Sequence, residues 1–294
     1  MIHTIDLHFL GQPNTIAAYL LESSAGPILI ETGPHSTFEN LRKGLAEKGY
    51  QPEEVRHVFI THIHLDHAGA AWTFAEKGST IYLHPFGFKH MADPSKLMAS
   101  AKRIYQDKMD MLWGRMEAIP EAQLRTVDHE EIIQIGELQF VALHTPGHAV
   151  HHIAWQVGDE CFTGDVAGVK IRDGLVVPPC PPPDIQLEAW EASLALLRQR
   201  PIRRLWLTHF GPIEAPMQHY DALEARLHAY ANWIKPHFEA GTPQEEVVPQ
   251  FQAFVENELR AHGVQGDHLT QYNYANPPWM SVAGLYRYWK KLVG

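Results

Sequence analysis

Short apolar runs rich in β-branched residues open the chain: HTIDLHFL (3–10), NTIAAYLLE (14–22) and GPILIET (26–32), separated by Gly, Pro and Asn. Runs of this length bounded by turn formers predict strands, here a meander. From Ser36 the apolar positions change to helical spacing, through Phe38, Leu41, Leu45 and Ala46, and Gly49 ends the pattern. VRHVFI (55–60) then reads as a buried strand, a helix is expected from His67, and STIYLH (79–84) is a further strand. The β-rich character returns in LQFVALHT (138–145), HIAWQV (152–157) and ECFTGD (160–165). A helix over 184–200, with Asp184 where an N-cap would sit, leads into the strand IRRLWLTHF (202–210). Strands and helices alternate in two similar halves, which predicts an α/β protein whose sheets are covered by helices on their outer faces.

Two regions depart from this alternation, and both have helical spacing. Residues 85 to about 119 hold Met91, Met98, Met109, Met111 and Met116, five of the eight methionines, together with Tyr105 and Trp113. Methionine adapts equally to irregular packing and to varied ligands, so this insertion is either a packed helical unit or an active-site wall or lid. After about residue 215, DALEARLHAYANWI, PQFQAFVENELRAHG and MSVAGLYRYWKKL read as three helices that cover the core or seat a second copy of the chain in a homodimer. The Pro-rich stretch VVPPCPPPD (176–184) stiffens the loop between Asp165 and the 184–200 helix, as a rigid connector or as a rim that shapes a substrate site.

Composition narrows the class. With 45% hydrophobic and 20% charged residues in 294, the chain has the make-up of an ordinary globular core. It lacks an apolar run long enough to span a bilayer, and its start has no basic n-region, so a cytoplasmic location without a membrane partner is expected. A net charge of −10 opposes a nucleic-acid partner, because that affinity rests on Lys and Arg neutralising phosphates. Cys161 and Cys180 form neither a disulfide framework nor a Cys-x-x-Cys pair, and read as small buried hydrophobes.

The chemistry concentrates in FITHIHLDHAGA (59–70), which places His62, His64, Asp66 and His67 within six positions, directly after a strand. Even with 20 histidines in the chain, chance rarely produces His-x-His-x-Asp-His at a strand end. Three further ligand types follow where strands give way to loops: His148 in TPGH, Asp165 in FTGD and His209 in LTH. His62 and His64, two apart in an extended loop, share a face and with His148 can supply three imidazoles to one metal ion. Asp66, His67 and His209 can hold a second, and Asp165 would bridge the two. Five imidazoles and two carboxylates without a thiolate fit two zinc ions, and iron or manganese accept the same set. Paired ions lower the pKa of a shared water, and the resulting bridging hydroxide is a hydrolase's nucleophile, with Asp66 as the catalytic carboxylate that orients it. His144, His151 and His152 crowd the third ligand, as buttresses or as polar loop residues.

In this order, THIHLDHAGA, TPGH, FTGD and LTHFG resemble the metal-binding motifs of the metallo-β-lactamase-fold superfamily. The resemblance spans roughly residues 1–215. It implies an αββα sandwich of two mixed β-sheets flanked by helices, with the metals in a cleft at one sheet edge; the helical stretches at about 85–119 and over 216–294 then read as an insertion and an extension to that sandwich. IETGPHS matches an early motif in which an aspartate that supports the metal loops from behind usually precedes Thr-Gly; here Glu31 stands in its place, a departure that touches none of the candidate ligands. The acidic balance argues against the superfamily's RNA-processing nucleases, and Asp165 stands where a cysteine-ligated β-lactamase would carry its thiolate. What the resemblance then implies is a metal-dependent hydrolase of a small-molecule ester, lactone or thioester, from the branch with glyoxalase II-type thioesterases and lactonases. Two alternatives stay open: a mononuclear iron oxygenase resembling the persulfide dioxygenases, using His62, His148 and Asp165, and a phosphodiesterase of the same superfamily.

Overall fold

The computed structural model describes residues 1–293. Twelve strands form two six-stranded sheets. The first sheet contains β1 (Ile2–Asp6), β2 (Ala17–Ser23), β3 (Gly26–Ile30), β4 (His57–Phe59), β5 (Thr80–Leu83) and β6 (Leu124–Thr126), in that spatial order. Its opening meander is antiparallel, and β3 to β6 run parallel. In the second sheet β7 (Ile132–Ile135), β8 (Leu138–His144), β9 (Ile153–Val157), β10 (Glu160–Gly164), β11 (Arg204–Leu207) and β12 (Gly211–Ile213) also follow chain order, parallel only between β10 and β11. The helices are α1 (Phe38–Glu47), α2 (Leu65–Ala68), α3 (Ala71–Ala75), α4 (Phe88–Ala92), α5 (Ser95–Tyr105), α6 (Met109–Leu112), α7 (Leu187–Arg198), α8 (Pro216–Glu239), α9 (Gln244–Ala261), α10 (Asp267–Ala275) and α11 (Pro278–Val293).

Alternation along the strands produces the layers, because successive side chains leave a strand on opposite faces. Tyr19, Leu21, Ile28, Ile30 and Phe59 of the first sheet meet Phe140, Trp155, Phe162 and Trp206 of the second in one inner core. Their neighbours Leu20, Leu29, Val58 and Ile81 point outward beneath Leu41 and Leu45 of α1 and Phe74 of α3. On the far side Ala154, Cys161 and Leu205 pack under Trp190 and Leu194 of α7 and Leu223 and Leu227 of α8. The fold is therefore an αββα sandwich.

Several sequence expectations need correction. The run 3–10 is a strand only to Asp6, where the chain enters a 3-10 turn that buries Phe9. β6, β7 and β12 were not expected; at three or four residues they are too short for a periodicity to show. The helix placed at His67 starts at Leu65, so that Asp66 and His67 both lie on α2. The 184–200 helix begins at Leu187, and Asp184 stays in the preceding loop. The C-terminal region has four helices rather than three, the extra one being α10 with its buried Leu269 and Tyr272. Both cysteines are buried in the outer core, as expected.

The C-terminal helices hold the loop that follows β10. His219 on α8 donates from Nε2 to Ala167 O at 2.7 Å, and Tyr272 on α10 donates to Leu175 O at 2.6 Å. Gly284 lets α11 lie directly on the Pro-rich loop: a Cβ there would collide with Cys180 O. At one end of the sandwich the two sheets join through backbone bonds, Ile153 N to Thr61 O at 2.7 Å and Ala17 N to Thr208 O at 2.8 Å. That end carries the candidate site.

Candidate metal centre

All seven ligand-type residues gather at this edge, each delivered just beyond the end of a strand. β4 leads into His62 and His64, α2 carries Asp66 and His67, and β8, β10 and β11 are followed by His148, Asp165 and His209. Gly164, at φ +48°, makes the last turn before Asp165, and any side chain there would strike Thr61 and His152. Loops fixed at both ends by a rigid sheet hold side chains to a narrow range of positions.

The ring nitrogens form two groups. His62 Nε2, His64 Nδ1 and His148 Nε2 lie 2.9, 3.0 and 3.2 Å from one another. His67 Nε2 and His209 Nε2 lie 3.7 and 3.5 Å from Asp66 Oδ2. Asp165 stands between the groups: Oδ2 is 3.2 Å from His148, and Oδ1 is 3.3 Å from His67 and 3.5 Å from His209. The triads His62–His64–His148 and Asp66–His67–His209 are each compact enough to hold a metal ion, and His62, His67 and Asp165 form a third such triad between them.

Four of the five candidate ligand rings are anchored from behind. His148 Nδ1 donates to Pro179 O at 2.9 Å and His209 Nδ1 to Thr15 O at 2.7 Å. His67 Nδ1 meets Glu31 Oε1 at 2.9 Å, and His62 Nδ1 meets Thr61 Oγ1 at 3.0 Å. Glu31 also accepts from Thr61 Oγ1, and from Thr208 Oγ1 at 3.3 Å. Its backbone sits in the left-handed region, at φ +63°, uncommon for a residue with a Cβ. The added methylene relative to the usual aspartate thus still ends in a buried carboxylate against both halves of the sandwich.

Electrostatics separates the two groups as well. Burial pushes His62 far below its ordinary pKa and His64 down to about 3, the neighbouring imidazoles adding to the effect, and burial also lowers His148 against the pull of Asp165. These rings are neutral donors at pH 7. Burial opposes charge on His67 and His209 too, but Asp165 and Asp66 overcome it and hold both above the usual range. Asp66 is held down to about 2: burial favours its neutral form, and His67 and His209 outweigh that. The second group therefore demands positive charge at its centre, and a cation meets that demand as protons do.

Three buried atoms, His67 Nε2, His209 Nε2 and Asp165 Oδ1, have no hydrogen-bond partner among the described residues. Buried polar atoms left bare cost about 1–3 kcal/mol each. Three of them turned toward one point, with their opposite ring nitrogens already anchored, fit metal coordination.

Of the crowding histidines, His152 accepts from Asp165 N at 3.2 Å and its Nδ1 meets Thr145 Oγ1 at 2.8 Å, so it positions Asp165 rather than His148. His144 turns away, with Nε2 on Val127 O. His151 is buried beside the site, its ring 5.6 Å from that of His64, and its Nδ1 has no partner among the described residues. Trp190, not anticipated, packs edge-on against His148 and donates to Val166 O. Its signal, a tryptophan on the buried stripe of α7, is indistinguishable in sequence from ordinary packing. Thr15 O and Pro179 O carry no sequence signal, since every residue has a carbonyl.

The centre forms the floor of a cavity of about 1580 Å³. His64, Asp66, His148 and Asp165 reach it from below, α4 to α6 form one wall, and the Pro-rich loop with the start of α11 forms the other. Tyr105 and Trp113 both line it. Of the five methionines in the insertion, Met91, Met109 and Met116 are buried packing, whereas Met111 is exposed at the cavity. The insertion is thus packed core on one side and cavity wall on the other.

An αββα sandwich with a histidine- and carboxylate-lined centre at its edge defines a fold class of metalloproteins. The chain belongs to the metallo-beta-lactamase superfamily, whose family model matches residues 11–209; its members are generally metal-dependent hydrolases. It is 25% identical over 185 residues to the metallo-beta-lactamase fold-containing protein ST1585 of Sulfurisphaera tokodaii, covering 62% of this chain and 67% of that one. Against an N-acyl homoserine lactonase of a Bacillus species it is 27% identical over 158 residues, 46% of this chain and 54% of the relative. The chain thus spans about half the length of that lactonase. The crystal structure of the metallo-beta-lactamase family protein TTHA1429 from Thermus thermophilus shares the fold, with a TM-score of 0.67 at 19% identity over 99% of this chain and 93% of that one.

Proposed function

We propose that the protein is a dinuclear metal-dependent hydrolase of a small-molecule ester, lactone or thioester. The observation that carries this reading is the division of Asp165, whose two oxygens serve different imidazole groups, Oδ2 toward His148 and Oδ1 toward His67 and His209. In this reading His62, His64 and His148 hold one ion, Asp66, His67 and His209 hold the other, and Asp165 joins them. The unit that does the chemistry is residues 1–215, with 216–294 as its helical cover. Zinc suits the donor set, and iron or manganese are accommodated by it.

Two such ions supply an acidified water and a positive field toward a carbonyl oxygen. The residues do the rest. Asp66, more exposed to the cavity than Asp165, is the carboxylate that would orient the attacking water. Asp165, His67 and His209 fix the floor, and the anchored rings spare the site reorganisation when charge develops. The walls would select the substrate. The net charge of −10 favours a small substrate over nucleic acid.

The test is elemental analysis of protein purified without chelator, alongside turnover of lactones, thioesters, aryl esters, phosphodiesters, an RNA oligonucleotide and glutathione persulfide. About two metal ions per chain and hydrolysis of carboxylic esters, lactones or thioesters are expected. A single iron with persulfide oxidation, or cleavage confined to phosphodiesters or RNA, would overturn the proposal.

A further inference from the structure

Exposed apolar side chains are ordinary when scattered and informative when gathered. Among the described residues ten large ones are exposed, and five of these, Phe86, Ile104, Met111, Tyr274 and Trp279, border the cavity above the candidate metal centre. They come from three separate stretches of chain: the turn before α4, helices α5 and α6, and the α10–α11 region. Two are mostly in solvent, Phe86 at 67% and Met111 at 58%. Below this rim Trp113 stacks on Phe9 at 5.5 Å and meets Tyr105 edge-on at 5.1 Å, while Tyr105 reaches across to Trp279 at 6.0 Å. An apolar lining thus runs from the solvent to the ligands.

At about 1580 Å³ the space exceeds the roughly 300–1,000 Å³ of a typical small-molecule pocket. Much of its wall is helical, and helix backbones have already paired their own N–H and C=O groups. A peptide or sugar against such a wall would lose water from polar groups without finding partners, whereas a hydrocarbon chain loses nothing of that kind. Of the charged residues on the walls, Lys89, Lys96, Asp107 and Lys108 are exposed and Asp184 is half-buried; Ser100, His151, Asn273 and Asn276 interrupt a lining that is otherwise mostly apolar.

Resting on the hydrolase reading above, we infer that the substrate is an acyl ester, thioester or lactone whose unbranched chain of about eight carbons or more lies along Met111, Ile104 and Trp113, with its carbonyl at the Asp66–Asp165 floor. In the step itself, water adds to the acyl carbon, the bond from that carbon to the leaving oxygen or sulfur breaks, and the water's proton passes to the leaving group. No oxidant or second substrate is consumed.

The experiment uses the full chain loaded with zinc and p-nitrophenyl esters from butanoate to dodecanoate, below their aggregation concentrations. Burial of a methylene corresponds to about 0.8 kcal/mol, so kcat/KM is expected to rise by about fourfold for each methylene that enters the cavity. Trp113→Ala and Met111→Ser should flatten the rise, and Met217→Ser, exposed elsewhere, should leave it intact. In parallel, dodecanoate and butanoate are titrated against the intrinsic tryptophan fluorescence; both carry the same carboxylate, so their difference reports the chain alone. Tight dodecanoate binding with weak butanoate binding supports the inference even if no ester is cleaved, an outcome that would count against the hydrolase reading only. Ester cleavage that is flat or falling with chain length, or equal binding of the two acids, overturns the inference and leaves the hydrolase reading standing. Should the wall variants fail to fold, the wild-type chain-length series and the two titrations decide alone.

Discussion

The floor of the cavity and its walls are built on opposite principles. On the floor the side chains are held from behind by hydrogen bonds, His148 to Pro179, His209 to Thr15, His67 to Glu31, and Asp165 N to His152, which leaves bare only the atoms turned toward the centre. The walls hold their rings by packing, and they leave Phe86 and Met111 in solvent. Fixed dipoles suit a centre where charge must be met without reorganisation, and apolar surfaces suit a compartment that must accept a chain. Damage to the floor should therefore abolish chemistry, and damage to the walls should redistribute it among substrates.

The largest expected effect tests the floor at its middle. Asp165→Asn removes one negative charge from between the two imidazole groups, so the second ion should be lost first and hydrolysis should fall by about 100-fold or more. Metals per chain and rate, measured on the same sample, check this; two retained ions at full rate would remove the distinction between floor and wall. Asp66→Asn should deplete the second ion while sparing the first.

Glu31→Gln sharpens the same contrast one layer out. The amide cannot balance His67 as a carboxylate does, so metal affinity should drop by about 10–100-fold, with rate recovering when metal is added in excess. A competition titration against a chelator reads the affinity. Unchanged affinity would make Glu31 part of the packing rather than of the floor.

A smaller effect sits at the joint between the two regions, where His219 of α8 binds the loop two residues after Asp165. Burial lowers its pKa to about 4, against the hydrogen bond to Ala167 O and with a further push from Lys170. A histidine depressed in the folded state is neutral there and charged in the unfolded chain below about pH 6.5. Its contribution is complete above pH 6.5 and is lost as pH falls toward 4, amounting to about 2 kcal/mol at pH 5. Denaturant unfolding at pH 7 and pH 5 should show this loss shrink in His219→Gln; an identical loss in both proteins would refute it.

The smallest effect belongs to the walls. Tyr105→Phe keeps the ring against Trp113 and removes only the hydroxyl that lies 3.9 Å from Met280 Sδ. Turnover should change by about fivefold or less, with metal content untouched, since one hydrogen bond is worth about 1 kcal/mol net. A larger loss would mean that Tyr105 touches the reacting groups and belongs with the floor.

What could be read from the chain alone follows from where the information is local. The candidate ligands His62, His64, Asp66 and His67 are neighbours in sequence, and His148, Asp165 and His209 each follow a strand end, so the cluster that the fold brings together is a pattern of residue types along the chain. The succession of strands and helices in two similar halves likewise predicted sheets covered by helices, while the two-sheet sandwich was what the family resemblance implied. The short strands β6, β7 and β12 and the helix α10 escaped, being stabilised by partners far away in the chain rather than by their own periodicity. The same holds for the function of His152, Trp190 and His219, whose partners lie at Asp165, Val166 and Ala167. Only the tertiary structure decided that Asp165 turns one oxygen to each imidazole group, that Glu31 reaches His67 from a left-handed turn, and that Phe9, Tyr105, Trp113 and Trp279 meet across one cavity. Ligand identity is written in side chains, whereas the direction a carboxylate faces and the space above it depend on how distant segments pack. Packing is a property of shape and volume that one-dimensional order does not contain.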